Sequence, residues 1–289
     1  MIHLVPGDPA SIALGPRATP ELIQEFRQRM GLDRPIVVQF ALFLLNVLRG
    51  DLGRDVFTNQ PVLQIIMKDL PSSLALAGAG LGWAVLLGVP LGCFSAIRRN
   101  SWLDRFTGIL SVSAIAIPSF VVALYALLIF AVWLRWFPAL GISRSGTLGE
   151  QLHYLVLPAF TVGLGWVGFL ARLVRASMLE ILGENHIRTA RAYGLPERRI
   201  VYRYALQLAI LPTVSLLGVG IGRLLSGAVF AEIVFTRPGI GKLVYDGVIS
   251  RNYPIVMGAV LVTTILFVLS TLLADLINAK LDPRVRDRL

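Results

Sequence analysis

Residues able to do chemistry are few in this chain, and their spacing is unhelpful to an enzyme. The three histidines, His3, His153 and His186, lie far apart, and the single cysteine, Cys93, sits inside a long apolar run. One cysteine allows no intrachain disulfide and has no partner for a metal, so it reads as packing. Neither a G-x-S-x-G nucleophile turn nor an H-E-x-x-H zinc helix occurs. The nearest approach to a phosphate-binding loop is Gly239-Ile240-Gly241-Lys242. It has Thr236 where the pattern needs glycine and Leu243 where it needs serine or threonine. That stretch reads as a turn, and the chain is expected to hydrolyse no ATP of its own.

Two other polar features carry more. Arg223 interrupts an otherwise apolar run, and an ionisable residue at membrane depth is a functional suspect by default. With Ser226 and Glu232 it forms a candidate substrate path. A pairing of Arg223 with Glu232, or snorkelling of Arg223, is the alternative. Asp275, near the end of the last apolar run, reads as a helix anchor or as the partner of a nearby base. The second feature is the basic stretch "RTARAYGLPERRIVYRYALQLAILP", Arg188 to Pro212. Gly194-Leu195-Pro196 supplies a helix stop followed by a proline at the start of the next helix. Ile200, Tyr204 and Leu208 recur at four, which predicts one buried face on that second helix. A helix–turn–helix with small Ala190 and Gly194 at its tip suits docking into a partner; a basic loop lying on anionic headgroups is the bland alternative.

The elements that hold these residues are membrane helices. Of 289 residues 55% are hydrophobic and only 15% charged, against about 25% charged in soluble domains. No charge falls between Leu74 and Ile97 or between Phe106 and Leu134. Each run exceeds the roughly 20 residues that cross a bilayer, and backbone in lipid must be helical. Further spans are expected near Tyr154–Ala171, Ala205–Phe230 and Pro254–Leu273, giving five. The shorter run Ile36–Leu48 reads as interfacial or packed on the bundle. Pro90, Pro118, Pro158 and Pro212 lie in the spans, where proline is tolerated, and the Gly78/Gly82 and Gly218/Gly222 pairs read as helix packing.

The formal charge of +10 is unevenly placed. Arg98, Arg99 and Arg105 occupy one connection. Arg172, Arg175, Arg188, Arg191, Arg198, Arg199 and Arg203 flank or fill the next, and Lys280, Arg284, Arg286 and Arg288 the tail. The intervening short loops hold only Arg135, Arg144, Arg237, Lys242 and Arg251. The positive-inside rule puts the loaded side, with the C-terminus, in the cytoplasm of a multi-pass inner-membrane protein. This placement makes the charge a matter of topology, and no nucleic-acid partner is expected. Residues 1–70 are expected to form an external segment with short helices. Within it "TPELIQEFRQRMGLD" offers Thr19 as cap, Pro20 at the first position and Gly31 as stop. Residues 71–278 would be the membrane domain, with a loop at about 176–208, and 279–289 a cytoplasmic tail. No basic region followed by an apolar stretch opens the chain, so no cleavable signal peptide is expected.

At this point the basic stretch resembles the signature loop of ABC-importer permease subunits, E-A-A-x3-G-x9-I-x-L-P. Ala190, Gly194 and Leu206 match. Arg188 and Thr189 replace the first Glu and Ala, Tyr204 the Ile, and Gln207 the Pro. Those departures are similar to the dipeptide, oligopeptide and nickel branch, as are "HLVPGDPA", "GLDRP", "RGDLG", "SMLEILGENHIRTARA", "RPGIGKLVYD", "RNYP" and "LDPRVR", in order along nearly the whole chain.

The resemblance implies an all-α, polytopic helical bundle of the type I ABC-importer permease class. Such families begin with a helix ahead of the "HLVPGDPA" segment, so six spans are implied where this chain shows five. It implies a permease subunit that pairs with a second, related permease, two ABC ATPases and an external substrate-binding protein, in contact with membrane lipid. Glu184, Arg188, Thr189, Ala190, Arg191, Gly194 and Leu195 would form the ATPase-coupling loop. The subunit would hold no cofactor, ATP and Mg being used by the ATPases. Di- and oligopeptides are the implied substrates, with glutathione, nickel complexes or oligosaccharides as alternatives, and a secondary carrier or channel as the rival class.

Overall fold

A computed structural model of the chain describes residues 19–21, 23, 24, 35–142 and 147–281. Gly31, Arg144 and the tail from 282 lie outside the described residues. So do the side chains of Ser226 and Lys280. Every described element is helical, and among the described residues the only bridge between extended residues is Arg54 with Pro61.

Helix α1 spans Ile36–Leu48 and presents Val37, Phe40, Leu45 and Leu48 to the surroundings. The first long helix, α2, spans Val62–Ile97. It therefore begins well before the charge-free run, and a boundary at residue 70 falls inside it. Lys68 and Asp69 are carried on a helical extension that needs no hydrocarbon around it. Pro71 and Pro90 lie within this helix.

The second apolar run is where expectation and structure part most sharply. A single span is expected over Phe106–Leu134; instead α3, Trp102–Ala116, meets at 99° the limb Ser119–Trp133, which opens with α4, Ser119–Ala126. The break is at Ile117-Pro118. Ile117 is extended (φ −82°, ψ 122°), the conformation that a following proline imposes, and Pro118 has no N–H to continue the ladder. Beyond α4 a π-helical segment, Leu127–Trp133, extends the second limb.

Helix α5, Leu148–Leu182, is 35 residues long and runs through Pro158. It packs along α2. Short α6, Asn185–Ala192, follows the turn at Gly183. Next is α7, Glu197–Ala209, whose middle, Ile200–Ala205, is π-helical. A 40° bend at Ile210 leads into α8, Leu211–Val234. Then come α9, Ile240–Ile249, and α10, Tyr253–Leu281, which packs on α8. Among the described residues three helices are long and apolar enough to cross a membrane, and up to five spans result if each bent pair counts as one.

The expected buried face of α7 is corrected by its π turn. Ile200 is fully buried, but Tyr204 is 41% exposed and Leu208 42%. Val201, Ala205 and Ala209 take the inward positions instead. An i→i+5 ladder widens the turn, so the inward position moves on by one residue.

Close helix packing occurs at one of the two glycine pairs. A Cβ at Gly218 would strike Ala274, and one at Gly222 would strike Phe267, so α8 and α10 approach there only because both are glycine. Gly78 and Gly82 meet nothing within 4 Å.

Candidate functional site

Three groups of polar residues stand out from the apolar bundle. The first is the loop between α5 and α7. Helix α6 ends in a Schellman motif: the Leu195 N–H donates to the Ala190 carbonyl at 3.3 Å and the Gly194 N–H to the Arg191 carbonyl at 2.9 Å. The motif requires a left-handed residue, and Gly194 has φ +75°. A Cβ there would meet no atom within 4 Å, so the demand is conformational and the space around the tip is open.

Beneath the tip the loop is fastened to the bundle. Ile187 and Ala190 enter one apolar cluster with Cys93, Ala96, Val174, Met178, Ile200 and Val201, and Leu195 packs against it. Ile187 and Ile200 are fully buried. Arg191 closes the turn by gripping Glu197, with Nε to Oε2 3.2 Å and a terminal nitrogen to Oε1 2.6 Å. Glu184 stands at the start of α6, and its carboxylate is 3.0 Å from His186 Nδ1. The Thr189 hydroxyl donates to the Asn185 carbonyl at 3.0 Å. Arg188, Tyr193, Arg198 and Arg199 are exposed, Tyr193 at 83%. The seven residues predicted for the loop are thus brought together. Two inward residues hold the seat, and the outward ones present a basic surface with an aromatic tip. Glu197 was missed, although its place six residues after Arg191, across a Gly-Leu-Pro turn, is a readable signal.

The second group was missed altogether. Asp104, only 6% exposed, receives Arg175 through Nε at 2.6 Å and a terminal nitrogen at 2.8 Å. The Ser95 hydroxyl and the Asn100 N–H, the latter at 2.9 Å, also donate to this carboxylate. Helices α2, α3 and α5 are thereby tied at one point. Ser101 caps α3 by accepting from the Asp104 N–H at 3.2 Å. "S-W-L-D" has the serine-to-acid spacing of a helix start, so a cap was legible there though the ion pair was not.

The third group contains the path candidates, and the structure separates them. Glu232 is 1% exposed and sits where α8 ends and α9 begins. It accepts from the Ser73 hydroxyl at 2.6 Å and from the Lys242 N–H at 2.9 Å, while the Ile240 N–H donates to Ser73 Oγ at 2.8 Å. A carboxylate at a helix N-terminus satisfies amides that the helix leaves open. Gly239 and Gly241 admit it, because a Cβ at either would run into the carboxylate. Glu232 therefore pins α9 to α2 and α8, and its pairing with Arg223 does not occur. The Gly-Ile-Gly-Lys stretch is the start of α9, its Lys242 amide turned to Glu232 and its Ile240 amide to Ser73.

Arg223 lines a cavity of about 390 Å³, bounded by the α3–α4 break, α5 and α8. Ile117, Pro118, Ser119, Thr161, Trp166 and Phe169 form much of its wall. No hydrogen bond or ion pair engages Arg223 among the described residues. Ser226 lies one turn further along α8, its side chain outside the described residues.

Comparison with known proteins bears on the whole chain. Residues 88–287 match the binding-protein-dependent transport system inner membrane component family. Residues 1–77 match the N-terminal part described for such membrane components. The glutathione transport system permease protein GsiC of Pectobacterium atrosepticum is 38% identical over 285 residues, covering 99% of this chain and 91% of the relative. The probable D,D-dipeptide transport system permease protein DdpB of Escherichia coli is 37% identical over 305 residues, covering 98% and 90%. Among solved structures, an inward-facing form of the MetNI methionine ABC transporter aligns with TM-score 0.64 at 20% identity. It covers 76% of this chain and 97% of that one, a likeness of fold.

Proposed function

This chain belongs to the family of binding-protein-dependent transport system inner membrane components, and on that premise we propose how it works within an ATP-driven importer. It is a permease subunit, not an enzyme; ATP hydrolysis lies in partner subunits. It forms half of a translocation path with a second, related permease. Two ATPases dock on the signature loops of the permease pair, here the loop at about 176–208, and an external binding protein delivers the solute. The loop and the C-terminus face the cytoplasm, as the distribution of arginine and lysine supports. The subunit holds no cofactor; ATP and Mg belong to the ATPases.

The observation that carries the coupling role is the seating of the loop. A docked element transmits force only if it is fixed at its base and free at its tip. Ile187 and Ala190 fix the base, the Arg191–Glu197 pair braces the turn, and Tyr193 and Gly194 stand clear. ATP binding favours the closed ATPase pair, and differential contacts at the loop shift the bundle between its two states.

Di- and oligopeptides are the substrate class, with glutathione inside the same chemistry. The names of the two relatives, a glutathione and a D,D-dipeptide permease, support this reading. The test is purification of the tagged subunit together with its ATPases and reconstitution with the binding protein. Uptake of a labelled dipeptide should require ATP and the binding protein together. Uptake that persists without ATP would identify a secondary carrier and overturn the reading.

A further inference from the structure

We propose that the cavity beside Arg223 is a subsite for an anionic group of the transported solute, a carboxylate, and that Arg223 is its specificity-determining residue. The proposal rests on the importer reading above and names what one part of the path recognises.

Arg223 is the thirteenth of the 24 residues of α8, so it lies at the middle of the helix. A guanidinium at that depth is costly against hydrocarbon and belongs beside a water-filled cavity or a counter-charge. No counter-charge is present among the described residues: the nearest acid along the chain, Glu232, is engaged by Ser73 and the Lys242 amide. What Arg223 has instead is the cavity of about 390 Å³, large enough for a small-molecule group. The cavity exists because α4 turns away from α3 at Ile117-Pro118. Its chemistry is one-sided. Among the described residues Arg223 is the one charged residue in the wall, Ser119 and Thr161 are neutral, and Trp166 and Phe169 are apolar. The Thr161 hydroxyl already donates to the Pro158 carbonyl at 2.8 Å. Apolar walls lower the local dielectric constant below that of water and strengthen an ion pair formed beside them. A planar, five-donor fork suits a carboxylate better than a point charge would. Peptides and glutathione carry at least one such group.

The test uses the assembled importer in a Cys93→Ala background and separates the site from the substrate reading. A cysteine is placed on the wall by Ser119→Cys, and by Val122→Cys as a second position. Its rates with an anionic sulfonatoethyl and a cationic trimethylammonioethyl methanethiosulfonate are compared. With Arg223 present the anionic reagent should gain about tenfold over the cationic one, relative to the same ratio with Arg223→Gln. An unchanged ratio, or a failure of both positions to react, overturns the proposal. In parallel, uptake of alanyl-alanine and of alanyl-alaninamide is measured. Arg223→Gln should lower uptake of the free-carboxylate probe about tenfold and that of the amide less than twofold, with Arg223→Lys between them. Equal losses for both probes make Arg223 a structural residue and also overturn the proposal. If the parent importer takes up neither probe while the charge-selective labelling holds, the anion subsite stands and the peptide assignment falls.

Discussion

Arg175 on α5 holds the buried carboxylate of Asp104 on α3 through two near-parallel hydrogen bonds, of 2.6 and 2.8 Å, and this pair joins two walls of the Arg223 cavity. Removing the guanidinium leaves Asp104 buried with only Ser95 and Asn100 as donors. Arg175→Ala should therefore cost on the order of 2 kcal/mol, less than a fully buried pair because the Arg175 side chain is one-third exposed. Thermal unfolding of the purified importer in detergent measures it. An unaltered midpoint would mean that the pair is as replaceable as a surface ion pair.

Gly194→Glu should leave the subunit inserted but abolish uptake and weaken copurification of the ATPases. The left-handed φ costs a side chain about 1 kcal/mol, which the seated loop survives. The loss then comes from a bulky acid at a tip where nothing of this chain stands within 4 Å. Gly194→Asn, which accepts that φ, and Arg198→Ala, on the exposed face, should both be mild. Normal uptake by the Gly194→Glu variant at normal expression would remove the loop from the coupling route.

Ile187→Ala separates seat from tip. This side chain is fully buried under the loop, and its truncation should cost about 2–4 kcal/mol of local stability. Proteolysis of the 183–199 region should accelerate while the rest of the bundle resists. Glu197→Gln removes only an exposed ion pair and should cost less than about 1 kcal/mol. If the two variants are cleaved at the same rate, the buried cluster is not what holds the loop.

Acid should loosen the junction between the 51–61 segment and the turn before α10. Burial pushes the Asp55 carboxyl up, but hydrogen bonds from the Thr58 and Asn252 side chains and the Thr58 and Phe57 amides outweigh it and hold it below its ordinary value. A depressed carboxyl contributes stability above its unfolded value of 3.8, and that contribution is lost as pH falls through the lower folded value. Limited proteolysis of this segment should rise below about pH 4 in the parent and show no such step in Asp55→Asn. A step of equal size in both would assign the acid response elsewhere.

The side assignment rests on charge alone and has its own check. Arg198→Cys and Tyr245→Cys, each in a Cys93→Ala background, place single thiols at exposed positions on the loop and on α9. In intact cells an impermeant thiol reagent should modify position 245 and spare position 198. The reverse pattern would invert the topology.

Some of this architecture could be read directly from residues. Gly194 announced its own conformation, because a glycine between an alanine-rich helix and a Leu-Pro pair has few other uses. The apolar runs announced membrane helices through length alone. The α3–α4 break was less legible. Pro90 and Pro158 sit inside continuous helices while Pro118 ends one, and all three occupy similar apolar surroundings. Which proline bends a span depends on whether neighbouring helices cover the freed backbone, and that is tertiary information. The inward face of α7 was misplaced for a related reason. Periodicity assumes 3.6 residues per turn, and a π segment changes the period without changing the residue types. The Asp104–Arg175 pair joins positions 71 residues apart, and no local pattern links them.

The length of α5 has a mechanical consequence. From Thr161, on the cavity wall, to Leu182, at the loop, the helix runs 22 residues without a proline, roughly 33 Å of rigid rod. Such a rod is a lever. Pivoted near the cavity, a swing of about 5° carries its far end through about 3 Å, roughly two residues of helix rise. The converse also holds: an ATPase that shifts the loop by a few ångströms turns the cavity wall by only a few degrees. Between Thr161 and Phe169, within about 12 Å of that pivot, such a turn moves the wall by about 1 Å, enough to tighten or loosen contacts there without unpacking the bundle. The distance from Thr161 to Leu182 therefore sets how far the loop would travel for each degree that the wall turns.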